Sequence, residues 1–210
     1  SDVCSSDLHI AGLQQLLKRF DIPVYTKQGT WREIQDKLIV PKNRLIELTK
    51  GSLTLGSLIV EPFSVSHDAA DPIGINVFAG NDKATIVTDT GVISDDILRR
   101  LDDTTLLVLE ANYDPHMLRF GPYQPFLKQR VASDEGHLSN EMAAQALLMM
   151  KRPNFMQVIL AHRSENNNNA VLVTQTIGKM LVDGGVRIGP EMKLQHGQPN
   201  EIVSIQSVKR

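Results

Sequence analysis

Three positions in the chain pair the right chemistry with the right placing. His67, Asp89 and His162 each stand where an apolar run stops: Leu58–Val65 runs up to Ser66 and His67, Ala84–Thr88 runs into Asp89, and Val158-Ile-Leu-Ala161 runs into His162. Imidazole nitrogen and carboxylate oxygen are the ligand types that borderline and hard divalent metals take. A fourth strand, Thr105-Leu-Leu-Val-Leu-Glu110, also ends in polar chemistry at Glu110-Ala-Asn112, and His9 stands just ahead of a helix. A lone His or Asp at a strand end is ordinarily a solvated or turn residue. The order His, Asp, His on successive strand ends, with His9 before them, is what turns single weak signals into a candidate metal centre on the loops of a rigid sheet.

The elements that must position these residues follow from local pattern. Ile10, Leu13, Leu16, Leu17 and Phe20 share one face of a helix over Ile10–Phe20. Pro23–Thr26 is a short strand, and a second helix runs to about Leu38 with Thr30 as its N-cap and Glu33 three residues on. Arg44–Leu48 and Gly56–Ser66 read as strands. Ile73–Ala79 and Ala84–Thr88 form a hairpin about Gly80-Asn81-Asp82-Lys83. With Asn81-Asp82 as the loop, Gly80 faces Lys83 and Asp89 comes level with Gly74, beside the loop that starts at His67. Ser94 caps a helix to about Leu101, and Ser139 caps another through about Met150. Between them, Ala111–Ser133 reads as a helical turn, a loop and a helix from about Pro125. Ala170–Asp183 is an amphipathic helix stopped by Gly184-Gly185. Val186–Ile188, Glu191–Leu194 and Ile202–Ser207 complete the pattern as short edge strands. Strands alternate with helices while the hairpins make the sheet mixed, so the class is α/β.

The chain has 210 residues, 41% of them apolar, enough for the core of one domain. It contains no run of 18 uncharged apolar residues that would cross a membrane. A formal net charge of −2 gives no global argument for nucleic acid, though it leaves room for a local basic strip. Ser1–Leu8 (SDVCSSDL) is unlike the rest and matches the translation of a common sequencing-adapter oligonucleotide. Residues 1–8 are therefore expected to be foreign, with the native domain running over 9–210. Cys4, the only cysteine, is then foreign as well. Removing Asp2 and Asp7 from the 24 acidic residues balances the 22 basic ones. A cysteine-free native part fits a cytoplasmic origin.

Taken together, the motifs resemble a known family. His9-Ile-Ala-Gly-Leu13 before a helix looks like the tail of the His-x-His-x-Asp-His motif of the metallo-β-lactamase superfamily, with His67, Asp89 and His162 at its later ligand positions. The chain is more specifically similar to the WalJ/YycJ exonuclease branch. The matching stretches are His67-Asp-Ala-Ala-Asp-Pro, Thr88-Asp-Thr-Gly91, Leu109-Glu-Ala-Asn-Tyr-Asp114, Met117–Tyr123, Leu127-Lys-Gln-Arg130, Ser133-Asp-Glu-Gly-His-Leu-Ser-Asn140 and His162-x-Ser164-x-x-Asn167-Asn168. The resemblance implies a four-layer αββα sandwich with mixed sheets, its first strands missing here. It implies two divalent metal ions, Zn or Mn, between the sheets. One takes His67, the other His9 and His162, and Asp89 bridges both. A hydroxide held between the ions is the expected nucleophile, with Asp89 and His137 as the catalytic residues.

The His-x-His pair and the Asp that follows it are absent, so four of seven expected ligand positions remain. The expectation is an incomplete domain that binds metal weakly and is nearly inactive as written. His137-Leu-Ser139-Asn140 at a helix start reads as a phosphate-facing site. Asn167 and Asn168 are expected to orient substrate, and Arg119, Lys128 and Arg130 to form a basic strip for a nucleic-acid backbone. Tyr113 stands where the branch pattern has His. The implied function is hydrolysis of DNA phosphodiester bonds. The alternatives are a thioester or other small-molecule hydrolase on the same fold, and a non-catalytic binding module.

Overall fold

The computed structural model describes Ile10 and residues 12–49, 51–198 and 201–205. His9 and residues 1–8 lie outside the described residues, and so do the ligand role expected of His9 and the expected foreign segment. The chain divides into two units: Ser1–Gly51 with Ala69–Pro72, and Ser52–Asp68 with Ile73–Arg210.

In the first unit, helix α1 spans Leu13–Arg19, strand β1 Val24–Thr26, helix α2 Gln28–Ile34 and strand β2 Leu45–Glu47. β1 and β2 pair in parallel, with Val24 opposite Leu45. The expected N-cap at Thr30 is corrected: α2 starts three residues earlier, with Lys27 in the cap position and Thr30 inside the first turn. The Thr30 hydroxyl instead donates to the carbonyl of Asp71, 3.3 Å away. A carbonyl 41 positions along the chain outcompetes the local amide.

The second unit is built on a seven-stranded mixed sheet whose spatial order is the chain order: β3 (Leu53–Leu55), β4 (Leu58–Ser64), β5 (Ile73–Ala79), β6 (Asp82–Val87), β7 (Leu106–Glu110), β8 (Met156–Ala161) and β9 (Met192–His196). β3 to β6 are antiparallel neighbours, joined by two-residue loops at 56–57 and 80–81 and by the longer loop 65–72 that carries His67, and β6 to β9 are parallel, as helical crossovers allow. Those crossovers carry α3 (Asp95–Leu101), then α4 (Pro115–Phe120), α5 (Pro125–Val131) and α6 (Asn140–Met149), then α7 (Ala170–Asp183). Ser94 and Ser139 do cap α3 and α6, their side chains accepting from the Ile97 and Met142 amides.

Three expectations change. The strand expected over Gly56–Ser66 is β4; its hairpin partner β3, which closes on it with Leu55 opposite Leu58, was not expected. The β5–β6 loop is Gly80-Asn81 and not Asn81-Asp82, so Ala79 faces Asp82. Gly80 sits at φ +60, the left-handed turn position that glycine fills without a Cβ clash, and this fixes the register. At the C-terminal side the described residues hold one strand, β9. Ile188 makes only an isolated bridge to Met192, and residues 201–205 form no strand. Ile202 is 96% exposed, so its apolar alternation has no surface to bury against. Residues 206–207 lie outside the described residues.

The core explains why the strand ends are rigid. Val87, Leu107, Leu109, Val158 and Leu160 present one face of β6, β7 and β8 to Leu101 of α3, Ala143 and Leu147 of α6, and Val173, Ile177 and Leu181 of α7, all buried in one cluster. Each large side chain taken from water here contributes about 1.5–3 kcal/mol. The C-terminal ends of these three central strands are thus held from behind. Among the described helices, none is long and apolar enough to cross a membrane.

Candidate metal centre

Three loops meet at the C-terminal ends of β6, β7 and β8. The Ser66 amide donates to the Thr90 hydroxyl at 3.3 Å, and the Gly91 amide donates to the Ser66 carbonyl at 2.9 Å, which ties the His67 loop to the Asp89 loop. The Asp68 amide donates to the Glu135 carbonyl at 3.0 Å, which ties the same loop to the segment before α6. A Cβ on Gly91 would lie 2.1 Å from the Ser133 carbonyl oxygen, so the Asp89 loop and that segment are in backbone contact. Asp89 and His162 both adopt left-handed backbone, at φ 55 and φ 52. For non-glycine residues this conformation is uncommon and costs free energy, and it concentrates at functional sites.

Glu110, the last residue of β7, is fully buried at the middle of the site. Its Oε2 accepts from the Asp89 amide at 3.0 Å, from His137 Nδ1 at 3.0 Å and from His162 Nδ1 at 2.6 Å; its Oε1 accepts from the Leu138 amide at 2.7 Å. Burial raises the cost of its charge. The hydrogen bonds and positive potential of His137 and His162 outweigh that and hold its carboxyl below the ordinary range. Burial likewise disfavours a charged His162, and the bond to Glu110 prevails, raising it above the usual imidazole value.

These contacts settle which nitrogens carry hydrogen. A carbonyl can only accept, so His67 Nδ1, 3.0 Å from the Gly136 carbonyl, is the donor. The ionised Glu110 carboxylate makes donors of His137 Nδ1 and His162 Nδ1 in the same way. The imidazoles are thereby left with Nε2 as the lone-pair nitrogen, the arrangement by which an outer carboxylate or carbonyl orients a histidine toward a metal. His67 Nε2 and His162 Nε2 lie on the same oxygen of Asp89, Oδ1, each at 3.5 Å. That is long for a hydrogen bond. It is close to the roughly 3.3–3.4 Å that separates two ligand atoms on one tetrahedral zinc. The donor set therefore fits divalent ions, with His67, Asp89 and His162 as the residues to hold them. Ligand atoms of Asp89, Glu110, His137 and His162 all lie within 4.8 Å of one another. Glu110 nevertheless has both oxygens committed to N–H donors, so its part is to position imidazoles. The His137 ring stands between those of His67 and His162, 5.1 and 5.3 Å away by centroid.

Of the residues expected from sequence, the fold brings His67, Asp89, His137 and His162 together. Glu110 was expected only as a polar strand end, and Gly136 not at all. The signal available for Glu110 was an acid closing an otherwise apolar strand. Ser139 is buried and spends its hydroxyl capping α6. Asn167 and Asn168 are buried behind the site. Asn168 exchanges amide hydrogen bonds with Asn140, at 2.8 and 3.1 Å, and donates to the Ala111 carbonyl at 3.0 Å. Tyr113 packs with Leu118 and Val131. Arg130 pairs with Asp68, beside His67, and outweighs burial in lowering the Asp68 carboxyl below its ordinary value. Arg119 and Lys128 lie farther out, joined through Lys128 Nζ and the Arg119 carbonyl at 2.8 Å. Replacing Asn168 by Ala strands the Asn140 amide and the Ala111 carbonyl, and the expected loss is about 2–3 kcal/mol in urea denaturation. An unchanged midpoint would mean that Asn168 does not hold the scaffold.

Residues 7–162 match the family described as Beta-lactamase superfamily domain. The chain is 33% identical over 202 residues to Exodeoxyribonuclease YycJ of Bacillus anthracis, covering 95% of this chain and 76% of that protein. It is 30% identical over 197 residues to Exodeoxyribonuclease WalJ of Streptococcus pneumoniae, covering 91% and 73%. Its fold is similar to that of the metallo-β-lactamase fold protein YhfI from Bacillus subtilis, with a TM-score of 0.63 and 15% identity over 89% of this chain and 70% of that one. Zn(2+)-bound PqqB from Methylobacterium extorquens gives a TM-score of 0.63 and 16% identity over 91% and 66%. With the family match, the two relatives and the α/β fold with its mixed sheet in agreement, the chain belongs to the metallo-β-lactamase superfamily.

Proposed function

We propose that this protein is a metal-dependent phosphodiesterase that degrades DNA from its ends. The observation that carries the reading is the set of imidazoles locked at Nδ1, two of which turn Nε2 onto one carboxylate oxygen of Asp89. The exodeoxyribonuclease names of its relatives support the substrate class. Divalent ions at such a centre, Zn or Mn, supply an activated water at neutral pH and Lewis acidity toward a phosphoryl oxygen.

The chain's own residues do the rest. His67 and His162 hold the two sides of the centre and Asp89 spans them. Glu110 keeps His162 and His137 in one tautomer. His137, with its Nδ1 hydrogen on a buried carboxylate, is placed to take up a proton at Nε2 and pass it on to the leaving oxygen. Arg130, Arg119 and Lys128 line the approach for phosphates, and Ser139 fixes the start of α6 under the site. A cytoplasmic setting accords with a DNA substrate.

The test is end-labelled DNA incubated with the full-length gene product and Mn²⁺. The expected result is progressive loss from the ends, stopped by chelation and reduced at least about 10³-fold by Asp89→Asn, since the neutral amide would be a much poorer ligand for a divalent ion than the carboxylate. Hydrolysis of thioesters without any of DNA would replace this reading with the small-molecule one.

A further inference from the structure

Both nitrogens of His67 lead to Arg130, the penultimate residue of α5. Nδ1 donates to the Gly136 carbonyl at 3.0 Å. Gly136 is packed so closely on the end of α5 that an added Cβ would strike the Arg130 and Val131 carbonyls. The Ser133 hydroxyl donates to the Arg130 carbonyl at 2.8 Å, and the His137 amide donates to that of Val131 at 2.9 Å, so the turn is closed around them. On the other side, His67 Nε2 is 3.4 Å from Asp68 Oδ1, and Asp68 Oδ2 accepts from Arg130 Nε. One carboxylate thus stands between the guanidinium and the nitrogen that His67 turns toward a metal. Both side chains of the pair keep part of their surface in solvent, 34% for Arg130 and 28% for Asp68, so substrate can reach them. Among the described residues, Arg119 and Lys128 have no comparable tie to His67.

Electrostatics narrows what this placing is for. A guanidinium beside divalent ions is repelled unless an anion lies between them. Asp68 is one such anion, and the phosphate being cleaved is the other. The planar arginine fork has five N–H donors, which lets one side chain hold a carboxylate and a phosphoryl oxygen together. Resting on the DNA reading above, we propose that Arg130 donates to a non-bridging oxygen of the phosphate being cleaved, and that Asp68 is the positioning residue that holds its guanidinium on the His67 side of the centre. Arg119 and Lys128 are then left to the flanking phosphates.

The experiment compares full-length wild type, Arg130→Gln, Asp68→Asn and the double variant on end-labelled DNA with Mn²⁺, reading kcat and KM separately. Arg130→Gln is expected to lower kcat by about 10²-fold with KM within about threefold, because the contact strengthens as charge grows on the phosphoryl oxygen. Asp68→Asn is expected to lower kcat by about tenfold in the wild-type background and by less than about twofold once Arg130 is replaced, since its effect runs through the guanidinium. Arg130→Lys keeps the charge but not the fork and is expected to fall between wild type and Arg130→Gln; it carries the kcat test should thermal unfolding show Arg130→Gln to be misfolded. Zn²⁺ affinity, read by competition with a chromophoric chelator, is expected to be unchanged in Arg130→Gln, which separates a lost phosphate contact from a lost metal. A raised KM with kcat unchanged in the Arg130 variants would put Arg130 on flanking phosphates and overturn the proposal, while the nuclease reading stands. Equal losses from Asp68→Asn in both backgrounds would mean that Asp68 does not act through Arg130, and would overturn it as well. If wild type leaves DNA intact, the nuclease reading falls and the proposal with it.

Discussion

Glu110→Gln is expected to weaken zinc binding at the centre by about 10- to 100-fold and to cost about 3 kcal/mol of stability. The amide is nearly isosteric with the carboxylate, so packing is preserved and hydrogen-bond logic decides the outcome. Oε2 now accepts three hydrogens, from the Asp89 amide, His137 Nδ1 and His162 Nδ1, and Oε1 accepts the Leu138 amide. An amide offers one acceptor oxygen and two donor hydrogens. Whichever way it is turned, an NH₂ meets hydrogens that it cannot accept. The relief open to His162 and His137 is to move the hydrogen to Nε2, which removes the lone pair a metal needs. Competition titration of Zn²⁺ against a chromophoric chelator reads the affinity, and urea denaturation of the metal-free protein reads the stability. An affinity within threefold of wild type would show that Glu110 does not set the tautomers.

Gly91→Ala is expected to destabilise the protein by about 3 kcal/mol. The added Cβ would lie 2.1 Å from the Ser133 carbonyl oxygen and 2.5 Å from both the carbonyl carbon and oxygen of Asp134. All three are backbone atoms, so no rotamer can yield, and the loops carrying Asp89 and the segment before His137 must part. At this chain length the loss lowers the unfolding midpoint by roughly 6–12 °C. Gly178→Ala is the control. It sits within α7, and its Cβ would meet only Ile188 Cδ1, at 3.8 Å. Removing a glycine from a helix interior is expected to raise stability by about 0.5–1 kcal/mol. Equal effects at the two positions would sink the close-contact argument.

What the sequence discloses and what it hides divide along the range of the interactions. The Ser94 and Ser139 caps are legible because a cap is made with an amide three residues on. The ends of β4, β6 and β8 are legible because hydrophobic alternation simply stops at His67, Asp89 and His162. The β5–β6 register slipped because two polar pairs, Gly80-Asn81 and Asn81-Asp82, both suit a tight turn; the positive φ at Gly80 decides between them. The hydroxyl of Thr30 answers to Asp71, and no local rule foretells that. Glu110 is the clearest case. Its donors come from positions 21, 27, 28 and 52 residues away. Its importance exists only once three strands and a loop have been folded against each other. Gly136 holds His67 through a carbonyl that every residue type possesses, so its side chain could not announce the part it plays.

The left-handed backbone at Asp89 and His162 narrows what either position can carry. Aspartate and histidine are among the non-glycine residues that enter this conformation most readily, whereas a β-branched side chain is an outlier there. The two strand ends thus combine a turn that tolerates few residue types with side chains that offer a carboxylate oxygen and an imidazole nitrogen to the same centre.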